Sequence, residues 1–342
     1  MKILIIGSFG KGALENNYVR GFKAIGIEPE KFEITESYYK RISRGIVNKV
    51  YNKINPAFYF TQINKELGIF ISQRKYDVIL VFKGLTLFPE TIKLLKTYTT
   101  IIACYNPDHP YEFYSEGSGN RNILDSIRLY DLYFTYSKNI AKGLSQKFNV
   151  ASFVIPFGFE PNPIPRSEGE YANHWLMLGS YDKARADFLV SLNLDSIQVY
   201  GEQKWSTRNK GNLIDTKYFQ GKALFENEYF VACKEANGVF NYLREQNIAE
   251  GSHNMRTFEV PGAGGLLISQ RTEEQSDFFE EDAEAIYFDT ITELKERLQY
   301  LERNHQKISA MKSAALKRAM SSGYTYHHRS KQMAAILKSS LS

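Results

Sequence analysis

Cysteine is nearly absent from this chain. Its 342 residues include two cysteines, Cys104 and Cys233, which lie far apart and each within an apolar run. Two isolated thiols exclude a disulfide framework and a cysteine-rich zinc site, and they are typical of a reduced compartment. We therefore predict that both thiols are buried core residues.

Long apolar runs are also missing. No stretch approaches the ~18 consecutive apolar residues of a membrane-spanning helix, and the N-terminal run, Ile3 to Ile6, is too short for the core of a signal peptide. These absences predict a cytoplasmic protein that can reach a membrane only at its surface, at the inner face of the cell membrane.

The charge balance is mildly basic, with 43 Lys and Arg against 38 Asp and Glu, a net charge of +5. Such a surplus favours an anionic partner without choosing among nucleic acid, a membrane surface and a phosphorylated substrate. Residues 38–60 have no acid and interleave aromatic residues with Lys40, Arg41, Arg44, Lys49 and Lys53. This pattern suits an anionic membrane surface or a lipid-diphosphate acceptor. A solvated helix face and a nucleic-acid patch are the alternatives, and we expect no nucleic-acid partner.

Short apolar strands alternate with amphipathic helical segments along the whole chain. Helical patterns over Pro89–Lys96 and Lys138–Phe148 separate strand-like runs in the first half, and the alternation resumes at His174 after a proline-rich stretch. A length of 342 residues favours two domains. We predict an α/β fold with two Rossmann-like parallel-sheet domains, residues 1–157 and 171–325, and a final helix, about 326–342, that returns to the first domain.

The stretch with the clearest chemistry is GSHNMRTFEVPGAGGLLIS, residues 251–269. Ser252 can cap a helix that starts near His253, whose first-turn amides, through Asn254, would bind a phosphate. Arg256 and Glu259 are three residues apart and therefore share a helix face.

A carboxylate beside a phosphate site is placed to accept two hydrogen bonds from a ribose diol, which is the role we predict for Glu259. The glycines that follow, Gly264 and Gly265, predict the end of the helix and a strand that re-enters the core. The alternative is a plain salt bridge between Arg256 and Glu259 on a solvated face, worth only ~0.3 kcal/mol.

This arrangement, with FFEEDAEAIYFDTITELKERLQYLE downstream and YTYHHR near the end, resembles the C-terminal domain of GT-B glycosyltransferases, closest to the CgeB-like spore-protein branch. The resemblance implies a GT-B architecture, in which two domains face each other across a cleft, with an N-terminal acceptor domain and a C-terminal nucleotide-sugar domain. Glu259 matches the second acid of the Glu-x7-Glu motif of many retaining members. Gly251 stands at the first position, so the motif assigns neither a sugar-holding acid nor the stereochemical outcome.

The resemblance also implies further donor-binding residues. Lys183 and Arg185, in the loop after the second domain's first strand, would reach the diphosphate, and Arg244 is a further donor-binding candidate. Fixed cations would there oppose the charge that develops on the departing nucleotide. A charged, solvated loop is the alternative for Lys183 and Arg185.

The first domain offers a catalytic candidate and a glycine loop. Asp108 and His109 follow a predicted strand in YNPDHPYEFY. An inverting transferase would place its general base there, with Asp108 as the first candidate and His109 as the second, and a retaining one would place a group that touches the donor sugar. A proline-fixed loop is the alternative. GSFGKG matches neither a dinucleotide fingerprint nor a P-loop. In GT-B-like proteins this loop lies at the acceptor side, so the resemblance makes Gly7, Gly10 and Gly12 candidates for acceptor binding.

These features predict a glycosyltransferase that moves a sugar from a nucleotide-diphosphate sugar to a hydroxyl of a glycan, lipid-linked or protein acceptor. No Asp-x-Asp motif stands in a suitable loop, so we expect no divalent metal and no cofactor besides the co-substrate. Two alternatives stay open: a GT-B-like protein that binds nucleotide sugars or glycans without turnover, and a sugar-nucleotide epimerase.

Overall fold

The computed structural model describes residues 1–34, 38, 43, 45–48, 50, 55–113, 118–161 and 169–341. The chain forms two compact units. Unit 1 contains Met1–Phe157 and Tyr326–Ser342, and unit 2 contains Gly158–Thr325.

Unit 1 is built on a six-stranded parallel sheet with the strand order β2-β1-β3-β4-β5-β6. The central strands are almost wholly apolar and buried, as parallel strands covered on both faces must be. In chain order the strands are Ile3–Gly7 (β1), Glu30–Glu33 (β2), Tyr76–Phe82 (β3), Thr99–Asn106 (β4), Leu132–Thr135 (β5) and Ala151–Val154 (β6).

The helices of unit 1 connect these strands, and the last one comes from the far end of the chain. That helix, Tyr326–Leu341, packs against Leu14–Ala24 so closely that a Cβ at Gly21 would overlap Ser330. Its Arg329 also donates from Nε to the Phe157 carbonyl at 3.0 Å. The other described helices are Leu14–Ala24, Pro56–Ile71, Pro89–Lys96, Arg121–Ser126 and Lys138–Phe148.

Unit 2 repeats the design with a five-stranded parallel sheet of order β11-β10-β9-β7-β8. Its strands are Trp175–Leu178 (β7), Ile197–Tyr200 (β8), Gly238–Asn241 (β9), Leu267–Gln270 (β10) and Ala285–Phe288 (β11). Its α-helices are Lys183–Leu192, Lys204–Thr207, Asn227–Glu235, Glu245–Ala249, Arg256–Gly262, Glu273–Phe278, Ile291–Glu302 and His305–Ser321.

The stretch 251–269 forms the predicted helix, but the helix begins later than expected. It starts at Arg256 with Met255 as N-cap and no side-chain cap, so the prediction that Ser252 caps a helix starting near His253 is wrong. The glycine end is confirmed: Gly264 has φ +78°, and Gly265 donates its N–H to the Val260 carbonyl. A Cβ at Gly265 would overlap the Cys233 carbonyl, so a larger residue does not fit at this position.

The α/β fold with two parallel sheets is confirmed, and both cysteines are buried as predicted. Two strands that the sequence did not reveal, β2 and β6, lie at the sheet edges. Among the described helices, none combines the length and the apolar character needed to span a bilayer. In the basic segment 38–60, Lys40, Arg41, Arg44, Lys49 and Lys53 lie outside the described residues.

Candidate functional site

The candidate site of unit 2 lies where the strand order reverses. β7 pairs with β8 on one side and with β9 on the other, so the chain leaves β7 in one direction and returns to its opposite edge. Open α/β sheets bind ligands outside the carboxyl ends of the strands at this reversal. Ligand-binding residues are therefore expected directly after Leu178 and Asn241.

Arg185 is the most unusual side chain at this place. It is only 5% exposed, and its guanidinium donates from Nε to the Tyr242 carbonyl at 3.1 Å and from Nη1 to the Ser180 carbonyl at 3.3 Å. No carboxylate within the described part of the chain forms an ion pair with it. Burial, and then the charges of Arg256 and Arg244, lower the pKa of Arg185, although an arginine keeps its proton at neutral pH.

Arg256 approaches the same place from the start of its helix. Its Nη2 donates to the carbonyl of Leu178, the last residue of β7. Its Nε is buried and has no hydrogen-bond partner in the described ranges. Gly179 makes the approach possible, because a Cβ there would overlap the Arg256 guanidinium and because its φ of +123° is rare for other residues.

Arg244 completes what we call the arginine cluster, Arg185, Arg244 and Arg256. It is exposed, comes after β9, and lies close enough to Arg185 to lower its pKa. None of the three forms an ion pair with a carboxylate among the described residues, and such a concentration of positive charge near a strand-end reversal favours a bound anion. Over the residues that the structure describes, no group of three or more His, Cys, Asp or Glu side chains is arranged to hold a metal ion.

Glu259 lies one turn beyond Arg256 on the same helix. The two are not ion-paired: Glu259 Oε2 accepts from the Tyr229 hydroxyl at 3.2 Å instead. Burial raises the pKa of Glu259, while the Arg256 charge and the Tyr229 hydrogen bond oppose that rise. The solvated salt bridge is thus not what the structure shows, and Glu259 as the ribose-binding acid stays a prediction.

Two of the predicted donor-binding residues are in the core instead. Ser252 and His253 are both 0% exposed. The Ser252 hydroxyl donates to Glu250 at 3.3 Å, and His253 Nδ1 bonds Glu274 at 2.7 Å while its ring packs edge-on against Phe258. They precede the helix rather than open it, and both side chains pack in the interior and bond to neighbouring acids.

Lys183 also lies away from the site. It and Arg185 are two residues apart in one helix, roughly 200° around its axis. Lys183 is therefore exposed and pairs with Asp187 at 2.6 Å, while Arg185 points inward. Asp182 caps this helix by accepting from the N–H groups of Ala184 and Arg185, so its first amides are already bonded and the arginine side chains carry the charge.

The glycine loop of unit 1 follows β1, at the reversal between β1 and β3. Its amides are occupied by carboxylates: Ser8 N–H donates to Glu15, and Phe9 N–H donates to Glu33. Burial, the largest effect, raises the pKa of Glu15, and a Cβ at Gly7 would overlap that side chain. Gly10 and Gly12 have room around their Cα atoms, with φ +76° at Gly12. The loop is thus not a free phosphate cradle, and an acceptor role for it stays a prediction.

Asp108 and His109 differ in what they can do. Asp108 Oδ2 accepts from Lys83 Nζ at 2.6 Å, and both side chains are partly exposed. His109 is buried, and its Nδ1 accepts from the N–H of Glu112 at 2.9 Å. Burial lowers the pKa of His109 to about 4, so the ring is neutral and its proton is on Nε2. His109 therefore stabilises the loop and has no free lone pair for a base, whereas Asp108 as the base stays a prediction.

Several residues of unit 2 were missed or set aside by sequence reasoning. The role of Gly179 could have been predicted from the sequence, because a glycine directly after a buried strand indicates that another group approaches the backbone closely. Trp205, whose Nε1 donates to the Gly179 carbonyl at 2.8 Å, resembles any core aromatic in sequence. Tyr229 lies 30 residues from Glu259, and no local pattern connects them.

Comparisons with known proteins bear on the family and the fold. Residues 183–335 match a family model described as glycosyl transferase-like, a range that contains the whole arginine cluster and Glu259. No curated protein matches the chain significantly.

Solved structures share the fold at low identity. Sucrose-phosphate synthase from Thermosynechococcus elongatus has a TM-score of 0.71 at 12% identity, over 99% of both chains. An E. coli structure described as trehalose-6-phosphate bound with UDP-2-fluoro glucose scores 0.65 at 13% identity, over 98% of this chain and 99% of that one. Anabaena HepE in complex with UDP-glucose scores 0.64 at 12% identity, over 99% and 100%. The chain therefore has the GT-B fold of glycosyltransferases, while the CgeB-like branch stays a prediction.

Proposed function

We propose that this chain is a glycosyltransferase that binds a nucleotide-diphosphate sugar in unit 2 and transfers the sugar to a hydroxyl acceptor. The observation that carries the proposal is the arginine cluster, whose buried Arg185 forms no ion pair with a carboxylate within the described residues. A cation kept buried without an ion pair is costly unless a ligand supplies the negative charge. The match of residues 183–335 to a glycosyl transferase-like model supports the same activity.

The chemistry follows from these charges. When the bond between sugar and diphosphate breaks, negative charge grows on the departing phosphate oxygens, and fixed guanidinium groups stabilise it without reorganising. Glu259 would accept hydrogen bonds from the ribose hydroxyls. In unit 1, Asp108, which Lys83 keeps in place at 2.6 Å, would take the proton of the acceptor hydroxyl.

The arginine cluster would also replace a metal ion. We propose that turnover needs no divalent cation, because three guanidinium groups offset the charge that Mg²⁺ or Mn²⁺ neutralises in other phosphate sites. We expect the rate of sugar transfer, or of donor hydrolysis, to stay within about twofold after treatment with excess EDTA. Loss of turnover that added Mg²⁺ or Mn²⁺ restores would contradict this.

Thermal unfolding tests the binding step. We expect UDP, GDP, TDP or CMP, with their sugars, to raise the melting temperature, since a ligand at 100 times its dissociation constant adds ~2.7 kcal/mol to folded-state stability. UDP compounds come first, because HepE was solved with UDP-glucose. Glu259→Ala should abolish most of the shift, whereas Glu273→Ala, an exposed acid at a different helix, should not. No shift with any compound would remove the basis of the proposal.

Donor hydrolysis separates a transferase from a protein that only binds. Gly251 leaves the first acid position of the paired motif empty, which is the specific observation in favour of a non-catalytic binder. An enzyme should slowly release free nucleotide from the donor that it binds, and Asp108→Asn should slow transfer to an acceptor. Tight binding without any release over many hours would identify the binder.

The raised pKa of Glu259 gives a prediction about pH. Its carboxylate protonates at a higher pH than an ordinary Glu. The protonated form loses the negative charge and uses one oxygen as a donor, so it no longer accepts one ribose hydrogen bond at each oxygen with the strength of a carboxylate. The affinity for UDP-glucose should therefore fall as the pH is lowered from 7 towards 5, and Glu259→Gln should bind more weakly with a flat profile. A nucleotide sugar suits this titration, because it lacks the terminal phosphate that titrates in UDP near pH ~6. If the affinity of the wild type and of Glu259→Gln changed with pH in the same way, the assignment of Glu259 to the ribose would be contradicted.

The acceptor and its location belong to the same proposal. A polysaccharide, glycolipid or protein hydroxyl is the acceptor that we propose, and an anionic membrane surface is the partner proposed for residues 38–60. Ile46 and Val47 support a surface role for this segment, because they are 78% and 75% exposed. Binding of the protein to phosphatidylglycerol vesicles, against neutral vesicles, would test it.

A further inference from the structure

A chain of buried amides in unit 2 ends at Asn254 with a fixed polarity. It starts at Gln275, which is fully buried and donates from Nε2 to the Gln270 carbonyl at 2.9 Å. A carbonyl can only accept, so this contact fixes which end of the Gln275 amide is nitrogen. Its Oε1 consequently accepts, from Thr257 Oγ1 at 2.9 Å and from Ser269 Oγ at 3.0 Å.

The same polarity passes to the next two amides. Asn241, also fully buried, must donate from Nδ2 to Gln275 Oε1, at 3.3 Å. Its Oδ1 therefore accepts, from Asn254 Nδ2 at 2.7 Å. The Asn254 Oδ1 atom is therefore a buried acceptor whose direction is set at Gln275, two amides away, and it has no partner within the described residues.

This acceptor belongs to the strand-end site. Asn241 is the last residue of β9. Asn254 lies two residues before Arg256, and the Arg256 guanidinium bonds to the last residue of β7. The chain presents three groups in order: the acceptor Asn254, the cation Arg256 and a second acceptor, Glu259. A nucleotide-diphosphate sugar has the matching order of sugar hydroxyls, diphosphate and ribose hydroxyls.

We propose that Asn254 Oδ1 accepts a hydrogen bond from a hydroxyl of the donor sugar and is a residue by which the site distinguishes sugars. This rests on the proposed function and adds the part of the donor that Glu259 does not touch. Gly251, at φ +61° and with open space around its Cα, has no side chain for the task. A buried acceptor of fixed direction favours a ligand that brings an O–H over one that does not.

The test compares each nucleotide with its sugar conjugate. Calorimetry of the full-length protein would use UDP and UDP-glucose, GDP and GDP-glucose, and TDP and TDP-glucose. For the pair that binds, we expect Asn254→Ala to leave the nucleotide affinity within about twofold and to weaken the conjugate about tenfold, which corresponds to one neutral hydrogen bond. Asn254→Ser, whose hydroxyl can still donate to Asn241, guards against misfolding and should weaken the conjugate similarly.

Deoxyglucose conjugates of the same nucleotide complete the design. On the wild type, one of the 2-, 3-, 4- and 6-deoxy compounds should bind about tenfold more weakly than the parent sugar, and Asn254→Ala should no longer distinguish that compound from the parent.

The outcomes separate the two proposals. If no nucleotide binds the wild type, both the proposed function and this inference are contradicted. If nucleotides bind and either variant keeps the full contribution of the sugar, or no deoxy compound is weaker, Asn254 Oδ1 makes no bond to the sugar and the inference alone is overturned. Equal losses for nucleotide and conjugate would also overturn it, since they indicate a purely structural role.

Discussion

Arg185→Met should lower the affinity for the nucleotide donor about a hundredfold, or ~2.7 kcal/mol. The reason is that Arg185 is 5% exposed and has no ion-pair partner in the described ranges, so its charge acts on a bound diphosphate with little screening by water. Charge-assisted bonds to phosphate in such surroundings are about twice as strong as neutral ones. Calorimetric titration of the variant with the donor would measure the loss.

The same helix offers a matched control. Lys183→Met removes an equal charge two residues away, but Lys183 is exposed and paired with Asp187 at 2.6 Å, so its affinity should stay within about twofold. Without ligand, Arg185→Met should melt close to the wild type, because losing two hydrogen bonds to carbonyl groups is offset by removing an unpaired buried charge. Similar losses of affinity in both variants would indicate long-range attraction rather than a built anion site.

Gly179→Ala should damage both stability and binding. The φ of +123° costs an alanine about 1–3 kcal/mol, and the new Cβ would occupy the space of the Arg256 guanidinium. Arg256 would have to leave the Leu178 carbonyl, so we expect at least a tenfold loss of donor affinity, about 1.4 kcal/mol. Urea unfolding and calorimetry would report the two effects separately.

Gly221→Ala separates backbone strain from the loss of Arg256. Gly221 has φ +75° with no atom within 4 Å of an added Cβ. The substitution should therefore destabilise the protein by about 1 kcal/mol without affecting affinity. If both alanine variants lost affinity alike, global destabilisation rather than the position of Arg256 would be the cause.

The sequence was most informative where local rules and packing agree. Helices Pro89–Lys96 and Lys138–Phe148 have the predicted bounds, because a proline in the first turn opens one and the Ser137 side chain caps the other. Edge strands β2 and β6 were missed because they are short and their residues are mostly only partly buried, so they lack the apolar run that marks the central strands.

The site was predictable in residue type and less so in detail. Arg256 and Glu259 lie on one short helix beside a strand end, as their spacing indicated. Lys183 and Arg185 could have been told apart, since residues two apart in a helix point in opposing directions. The burial of His253 and Ser252 could not be predicted, because it depends on partners that are distant in the sequence. One of them is Glu274, 21 residues from His253, and only the folded chain defines its position.

The hydrogen bond from Trp205 to Gly179 provides an optical signal inside the protein. The chain has two tryptophans. Trp175 is fully buried and bonded to Glu302 at 2.9 Å, whereas Trp205 donates to the carbonyl of the glycine over which Arg256 passes. Any displacement of that peptide changes the field at one indole and leaves the other as a constant background. The intrinsic fluorescence of Trp205, read in Trp175→Phe, is therefore an unlabelled reporter for occupation of the arginine cluster and for the rates at which donor arrives and leaves.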